Sequence, residues 1–265
     1  MSKLNYAHVV AIIAVLGFAL LPCTAARAAL ILYYPLNEGT GTLAHDQSAS
    51  GNHGTVGGGS WTAPGESGSG YAAKVTASSS TETGVTTGGN VALGAGDFTV
   101  SLWFKGTPDG DWAWLAANGT GWQDTGNRLY IADYQGGLRV GMGAWFTDAY
   151  SPDTLPVIFT STTDWYNVAV VRNGTTVTAY VNGAVYAAGT SSVTLADSTI
   201  QFGAQKGGNG SLAGAIDDLA IWNQALTPGQ VAAIAAGASP LTIPEPSMLV
   251  LAGLGLAAAT WRKRT

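Results

Sequence analysis

The chain has 265 residues, a formal net charge of −5, charged side chains at only 10 %, 37 glycines and one cysteine. That length holds one large all-β domain or two small ones, and one domain is the simpler reading. Between Ala29 and Pro240 there are six Lys and Arg against fifteen Asp and Glu, which argues against nucleic acid, whose phosphates need a basic face. An acidic, lysine-poor surface rich in Gly, Ser, Thr and Asn fits an extracellular protein, or one that binds cations or neutral sugars.

Lys3 precedes an apolar run from Val9 to Leu21, followed by Pro22 and Ala26-Arg27-Ala28. A positive start, a short apolar stretch and small residues at the end are the order of a secretory signal peptide. Residues 1–28 are assigned to this signal helix, with cleavage after Ala28; an uncleaved membrane anchor is the alternative. Cys23 lies inside the leader, so the mature domain has no thiol and no disulfide. The Leu-Leu-Pro before it does not fit a lipid-attachment box.

From Ile31 onward short β patterns alternate with Gly, Asn, Asp and Ser, and no helical period occurs before Ala225. ILYYPL opens the series. In DFTVSLWFK, Phe98, Val100, Leu102 and Phe104 share one face while Trp103 makes the other apolar too, so this strand is expected to be buried on both sides. RLYIADY and GLRVGMG flank Gln135-Gly136 as a hairpin. WYNVAVVRNGTTVTAYVNGAVYAA carries Asn173-Gly174 and Asn182-Gly183 between alternating runs, the signature of tight turns in a three-stranded meander. TIQFGAQ and AIDDLAIW add two strands. Leu226 to Ala236 then reads as a short helix, capped by Thr227 with Pro228 in its first turn. So many short strands imply a sandwich or barrel.

The chain ends PLTIPEPSMLVLAGLGLAAATWRKRT. Pro244 and Pro246 break any helix entering from the domain, Met248 to Ala259 is apolar or Gly, and Arg262, Lys263 and Arg264 close the chain. At about 1.5 Å per residue the apolar stretch spans about 20 Å, short for a permanent anchor and suited to a transmembrane helix that is later removed. The basic triplet would hold that end in the cytoplasm. A C-terminal core helix is the alternative, disfavoured by the basic cluster directly after Trp261.

Pro244-Glu245-Pro246-Ser247, the apolar helix and the Arg-Lys-Arg end occur in the order of a PEP-CTERM sorting signal, which this tail, residues 239–265, resembles. The resemblance implies cleavage near Pro-Glu-Pro by an exosortase-type membrane protease in a Gram-negative bacterium. It also implies transient membrane anchoring, then release or attachment at the cell surface or in its matrix. YPLNEGTGTLAHDQSASGNHGTV, GDFTVSLWFK, WYNVAVVRNGTTVTAYVNG and LAGAIDDLAIWNQALTPGQVAAI together resemble the laminin-G-like, concanavalin A-like jelly roll, in that family's order. An all-β, two-sheet antiparallel sandwich is therefore expected over residues 29–238, with its first and last strands adjacent.

Such adjacency would bring Asp46 and the Ser50–Gly54 loop to Asp217. Two hard carboxylates with loop carbonyls are what Ca²⁺ asks for. The resemblance suggests a structural calcium held by Asp46 and Asp217, with Gly51 and Asn52 contributing carbonyl or amide oxygens; otherwise Asp46 caps a turn and Asp217 faces solvent. His45 and His53 lack the spacing of a zinc site.

Trp112, Trp114, Trp122 and Trp145 are candidates to stack on sugar rings, with Asn118 among the polar partners, while Trp103, Trp165 and Trp222 are assigned to packing. Catalysis has little support: Glu38, Glu66 and Glu82 are the domain's only glutamates, all before the central strands, and no Ser-His-acid spacing is recognisable. The expected function is non-catalytic binding of a glycan or exopolysaccharide. The alternatives are a structural or adhesive surface protein that binds protein partners and, with less support, a polysaccharide-active enzyme. The fold class alone cannot choose among them.

Overall fold

The computed structural model describes residues 30–58, 60–76, 83–108, 112–119, 126–143, 148–150, 156–205 and 211–244, with backbone alone at 108 and 148–150. The leader, Trp122, Trp145 and the sorting residues Glu245, Pro246, Ser247, Arg262, Lys263 and Arg264 lie outside them. No helix among the described residues is long and apolar enough to cross a membrane.

In chain order the strands are β1 (Leu30–Tyr34), β2 (Leu43–Ala44), β3 (Gly54–Gly57), β4 (Trp61–Thr62), β5 (Ala72–Val75), β6 (Gly84–Thr86), β7 (Phe98–Pro108) and β8 (Trp112–Ala117). They continue with β9 (Arg128–Tyr134), β10 (Gly137–Gly143), β11 (Asp148–Tyr150), β12 (Tyr166–Asn173), β13 (Thr176–Val181), β14 (Ala184–Thr190), β15 (Gln201–Phe202) and β16 (Leu212–Trp222). A helix, α1 (Pro228–Ala235), and a 3-10 turn at Pro240–Thr242 complete the described elements. The first antiparallel sheet is ordered β14-β13-β12-β7-β16-β5-β4, with β1 also on β16; the second is ordered β11-β10-β9-β8-β15-β6-β3-β2.

The core lies between the sheets. Phe98, Val100, Leu102 and Phe104 of β7 are fully buried there against Leu115, Leu129, Ile131 and Phe202 of the second sheet. Burying each such side chain stabilises by roughly 1.5–3 kcal/mol relative to exposure. The other face of β7 is largely covered as expected, but by polar contacts: Thr99 Oγ1 donates to Gln224 O at 2.8 Å and accepts from Leu226 N at 3.0 Å. Trp103 is only half-buried, between Asp217 of β16 and Asn167 of β12.

Turn chemistry sets the registers. Asn182 (φ 49°) and Gly183 (φ 78°) form the two-residue left-handed turn between β13 and β14, where an Asn-Gly pair costs least. At the other Asn-Gly pair β12 runs one residue further, so Asn173 pairs with Thr176 and Gly174-Thr175 make the turn. On β16 a bulge between Asp217 and Ala220, with Asp218 at φ 46°, separates the stretch paired to β5 from the stretch paired to β1.

Thr227 and Gln230 form a reciprocal capping box at the start of α1, with Pro228 in the first turn. The helix lays Val231 and Ile234 on Tyr33, Tyr180 and Trp222, a second apolar cluster on the outer face of the first sheet. Leu30 and Ile243 pack against this cluster, and the compact unit runs from Ala29 to Ile243, past the expected boundary at 238.

Candidate functional site

Alternation along β8, β9 and β10 sends Ala113, Leu115, Leu129, Ile131, Leu138, Val140 and Met142 into the core. The same alternation places Trp112, Trp114, Tyr130, Ala132, Tyr134 and Arg139 on the outer face of the second sheet. Trp112 and Tyr134 are register partners, and their rings lie 4.3 Å apart between centroids. Trp112 and Trp114 stack at 5.5 Å with 17° between planes, and Trp114 meets Tyr130 at 5.3 Å. Arg139 stands opposite Ala132, whose small side chain lets the guanidinium lie across the strand. Its Cζ sits 4.2 Å from the Tyr134 ring centroid and 5.6 Å from that of Trp112. Such a placement is a cation–π contact.

The two tryptophans expected to act alike do not have equal access. Trp114 is 5 % exposed and Tyr130 is fully buried, whereas Trp112, Tyr134 and Arg139 are half-buried. Trp112, Tyr134 and Arg139 therefore form the accessible patch, and Trp114 and Tyr130 adjoin it on the same face but are covered. Asn118 is not a surface hydroxyl partner: its Oδ1 accepts from Leu129 N at 2.6 Å, its Nδ2 donates to Ala196 O at 3.2 Å, and it is buried. Its donors and acceptor are spent on joining two backbone segments. Arg139 escapes a reading based on aromatic clustering, which does take in Tyr130 and Tyr134. The period-2 pattern of RLYIADY and GLRVGMG, which puts Tyr130, Tyr134 and Arg139 on one face, would have found it.

The Asp46 loop is organised around a carboxylate. Asp46 Oδ1 accepts from Tyr33 N and Ser48 N, both at 2.9 Å; Oδ2 accepts from Ser48 Oγ at 2.8 Å and Asn52 N at 2.9 Å. Gly51 O accepts from His53 N at 3.0 Å, Asn52 O from the Tyr34 hydroxyl, and Asn52 Oδ1 from Gly89 N at 2.6 Å. The His53 ring takes part as well, its Nδ1 accepting from Asp46 N at 3.0 Å. Asp217 is held separately, its Oδ2 accepting from Glu66 N at 2.9 Å and its Oδ1 from Asp218 N at 3.0 Å.

The oxygens that Asp46, Gly51, Asn52 and Asp217 were expected to offer calcium each accept at least one N–H or O–H. Tyr33 links the two networks, its N–H on Asp46 and its hydroxyl on Asp218, next to Asp217. Among the described residues no group of three or more His, Cys, Asp or Glu is placed to hold a metal ion. The alternative for Asp46, a turn cap, describes its geometry; Asp217 is buried and does not face solvent.

Beside Asp217 stand Asp218 and Glu66. Tyr33 donates its hydroxyl to Asp218 Oδ1 at 2.6 Å. Burial pushes the Asp217 carboxyl up to about 8, against the two amides that favour its charged form. Burial, followed by the neighbouring Asp218, pushes Glu66 up to about 7. Asp218 is itself raised by burial, and burial with the Asp218 hydrogen bond raises the Tyr33 phenol. These groups pin the Gly65–Ser69 loop to β16. Glu66 and Asp217 are too far apart in sequence for any local pattern to have paired them.

Two antiparallel sheets with adjoining terminal strands and an aromatic patch on one outer face define a lectin-like jelly-roll sandwich. The chain belongs to the concanavalin A-like lectin/glucanase superfamily, whose model matches residues 78–232. A PEP-CTERM protein-sorting motif matches residues 242–264. No curated protein matches the chain. Among solved structures it is similar to domain 4 of AbnA, a GH43 extracellular arabinanase from Geobacillus stearothermophilus solved with arabinotriose. Identity there is 21 %, the TM-score 0.59, and the match covers 79 % of this chain and 99 % of that one. The binding domain of Paraclostridial Mosquitocidal Protein 1 is similar at 15 % identity and TM-score 0.57, over 78 % of this chain and 52 % of that one. The ligand-binding domain of botulinum neurotoxin serotype D, solved with N-acetylneuraminic acid, is similar at 15 % identity and TM-score 0.54, over 79 % and 51 %. The chain spans about half the length of these toxin domains. At such identities the likeness is one of fold.

Proposed function

We propose that this is an exported, surface-sorted protein whose domain binds a glycan through Trp112 and Tyr134 on the outer face of the second sheet and performs no catalysis. The observation that carries the reading is the half-buried Trp112–Tyr134–Arg139 patch, whose rings contact one another and the covered Trp114 and Tyr130 beside them. Saccharide rings present apolar C–H faces that lie on indole and phenol rings, and the ring contacts around Trp112 hold it in place when the site is empty. The arabinotriose and N-acetylneuraminic acid in two neighbours of the same fold support a saccharide ligand. The reading without catalysis is supported by where two glutamates go: the Glu66 carboxyl hydrogen-bonds Asp218, and Glu38 accepts from His45 N at 2.8 Å. The sorting motif supports handling by an exosortase-type protease of a Gram-negative cell, with the domain delivered to the surface or matrix.

The test is a polysaccharide and glycan panel against the full-length protein and Trp112→Ala. Central aromatic contacts are commonly worth about 2 kcal/mol or more, so affinity is expected to fall at least about tenfold in the variant, with the bound glycan recovered uncleaved. A folded wild-type protein that binds nothing on the panel would instead support a structural or adhesive surface protein with protein partners.

A further inference from the structure

Both ends of the domain are held by one apolar cluster. Ile243, the residue before Pro244, and Leu30, two residues after the expected cleavage at Ala28, pack against Tyr33, Tyr180, Trp222, Val231 and Ile234 beneath α1. Pro240 is buried, and the turn Pro240–Thr242 is fastened by Ser239, whose carbonyl accepts from Thr242 Oγ1 at 2.7 Å. The fold therefore grips the chain as far as Ile243, and only Pro244 to Ser247 separate that point from the apolar run that starts at Met248. Four extended residues reach at most about 14 Å.

The stretch that surrounds this exit carries no charge. From Leu219 to Pro244, which includes α1 and the 3-10 turn, there is no Asp, Glu, Lys, Arg or His, in a domain with six Lys and Arg and fifteen Asp and Glu. Val185, the register partner of Tyr180, and Leu241 flank α1 from β14 and from the turn that follows the helix, and they are 61 % and 53 % exposed. An uncharged stretch meets anionic headgroups with no repulsion of its own, while Val185 and Leu241 gain by leaving water. A short tether makes the encounter intramolecular, so a contact too weak to recruit a free protein suffices.

We propose that, until the tail is cut, the α1 face with Val185 and Leu241 lies on the surface of the bilayer that holds the tail, and that this lipid surface is its partner. The inference rests on the sorting-tail reading and is independent of the glycan reading. It also fixes which way the domain looks. Stacked sheets lie about 10 Å apart, and a helix packed on one of them adds a layer of similar thickness. The Trp112–Tyr134 patch, on the outer face of the other sheet, is therefore turned away from the membrane, and so short a tether cannot bring it round.

The test uses the full-length protein, made in a host without the sorting protease and placed in vesicles of phosphatidylethanolamine and phosphatidylglycerol brominated near the headgroup end of their acyl chains. In a Cys23→Ser background, one fluorophore is attached at Ala236→Cys, exposed at the end of α1, or at Thr55→Cys, exposed on the outer face of the second sheet. Brominated lipid is expected to quench the label at 236 and to leave the label at 55 as it is in unbrominated vesicles. Val185→Ser with Leu241→Ser should lower the docked-to-free ratio read from the quenching at least about tenfold, equivalent to about 1.4 kcal/mol. A melting temperature within about 2 °C of the parent separates lost docking from lost folding. Equal quenching at 236 and 55 overturns the inference and leaves the sorting-tail reading intact, as does quenching at 236 that the folded double variant retains in full. Protein that an alkaline carbonate wash strips from the vesicles overturns the sorting-tail reading and the inference with it.

Discussion

Replacing Asp46 with alanine removes the acceptor at the centre of the first loop, and the cost follows from what is left behind. The amides of Tyr33, Ser48 and Asn52 and the Ser48 hydroxyl all lose their partner. The Tyr33 N–H lies in a buried bond and is out of reach of water, so leaving it unpaired costs about 1–3 kcal/mol. The two loop amides are part-buried and recover some hydration, adding about 0.5–1.5 kcal/mol each. A total near 3 kcal/mol lowers the melting temperature of a domain this size by about 6–12 °C. Tryptophan fluorescence melts of the full-length protein and Asp46→Ala, each with calcium and with chelator, measure it. The loss is expected to be the same in both media, and wild type should melt at one temperature in both. A wild-type melt that drops by more than about 5 °C in chelator and returns with calcium would refute the reasoning, because those oxygens would then be metal ligands and not amide acceptors.

Burial pushes the Asp133 carboxyl up to about 6, opposed by the Gly136 amide, so the folded state holds this proton more tightly than the unfolded chain does. Its contribution is full below about pH 4 and is lost as pH rises through about 6; Asp133→Asn should show a shallower fall in urea midpoint between pH 4.5 and 7.5 than wild type. An unchanged slope in the variant would mean that Asp133 is ionised in the fold. Gly84 sits at φ +85°, where an added Cβ would come 2.0 Å from the Phe202 carbonyl oxygen on the paired strand. Gly84→Ala should therefore cost at least about 2 kcal/mol in denaturant unfolding, while an alanine at the open Gly229 should stay within about 0.5 kcal/mol.

Local chemistry made much of the sandwich readable. Asn182-Gly183 and Gln135-Gly136 mark their hairpins because two successive left-handed residues leave few other options. Thr227, Pro228 and Gln230 announce α1 because a cap is written within one turn of chain. The one-residue shift at Asn173 was not legible, since it depends on how β12 seats against β7. Nor could spacing alone tell Trp112 from Trp114: which of two adjacent outward rings is covered is decided by neighbours elsewhere in the chain. Nor did the letters at 46 and 217 show that both carboxylates gather backbone amides, because those amides come from loops set by the tertiary fold.

β16 touches β7 along one edge and β5 and β1 along the other, so the last strand of the sandwich is the seam that joins strands drawn from the first half of the chain. A polypeptide threaded across a membrane amino end first delivers those strands early and their common partner late. Until β16 arrives, β1 and β5 have no place in the first sheet and β7 shows an open edge. Closure of the first sheet therefore waits for β16.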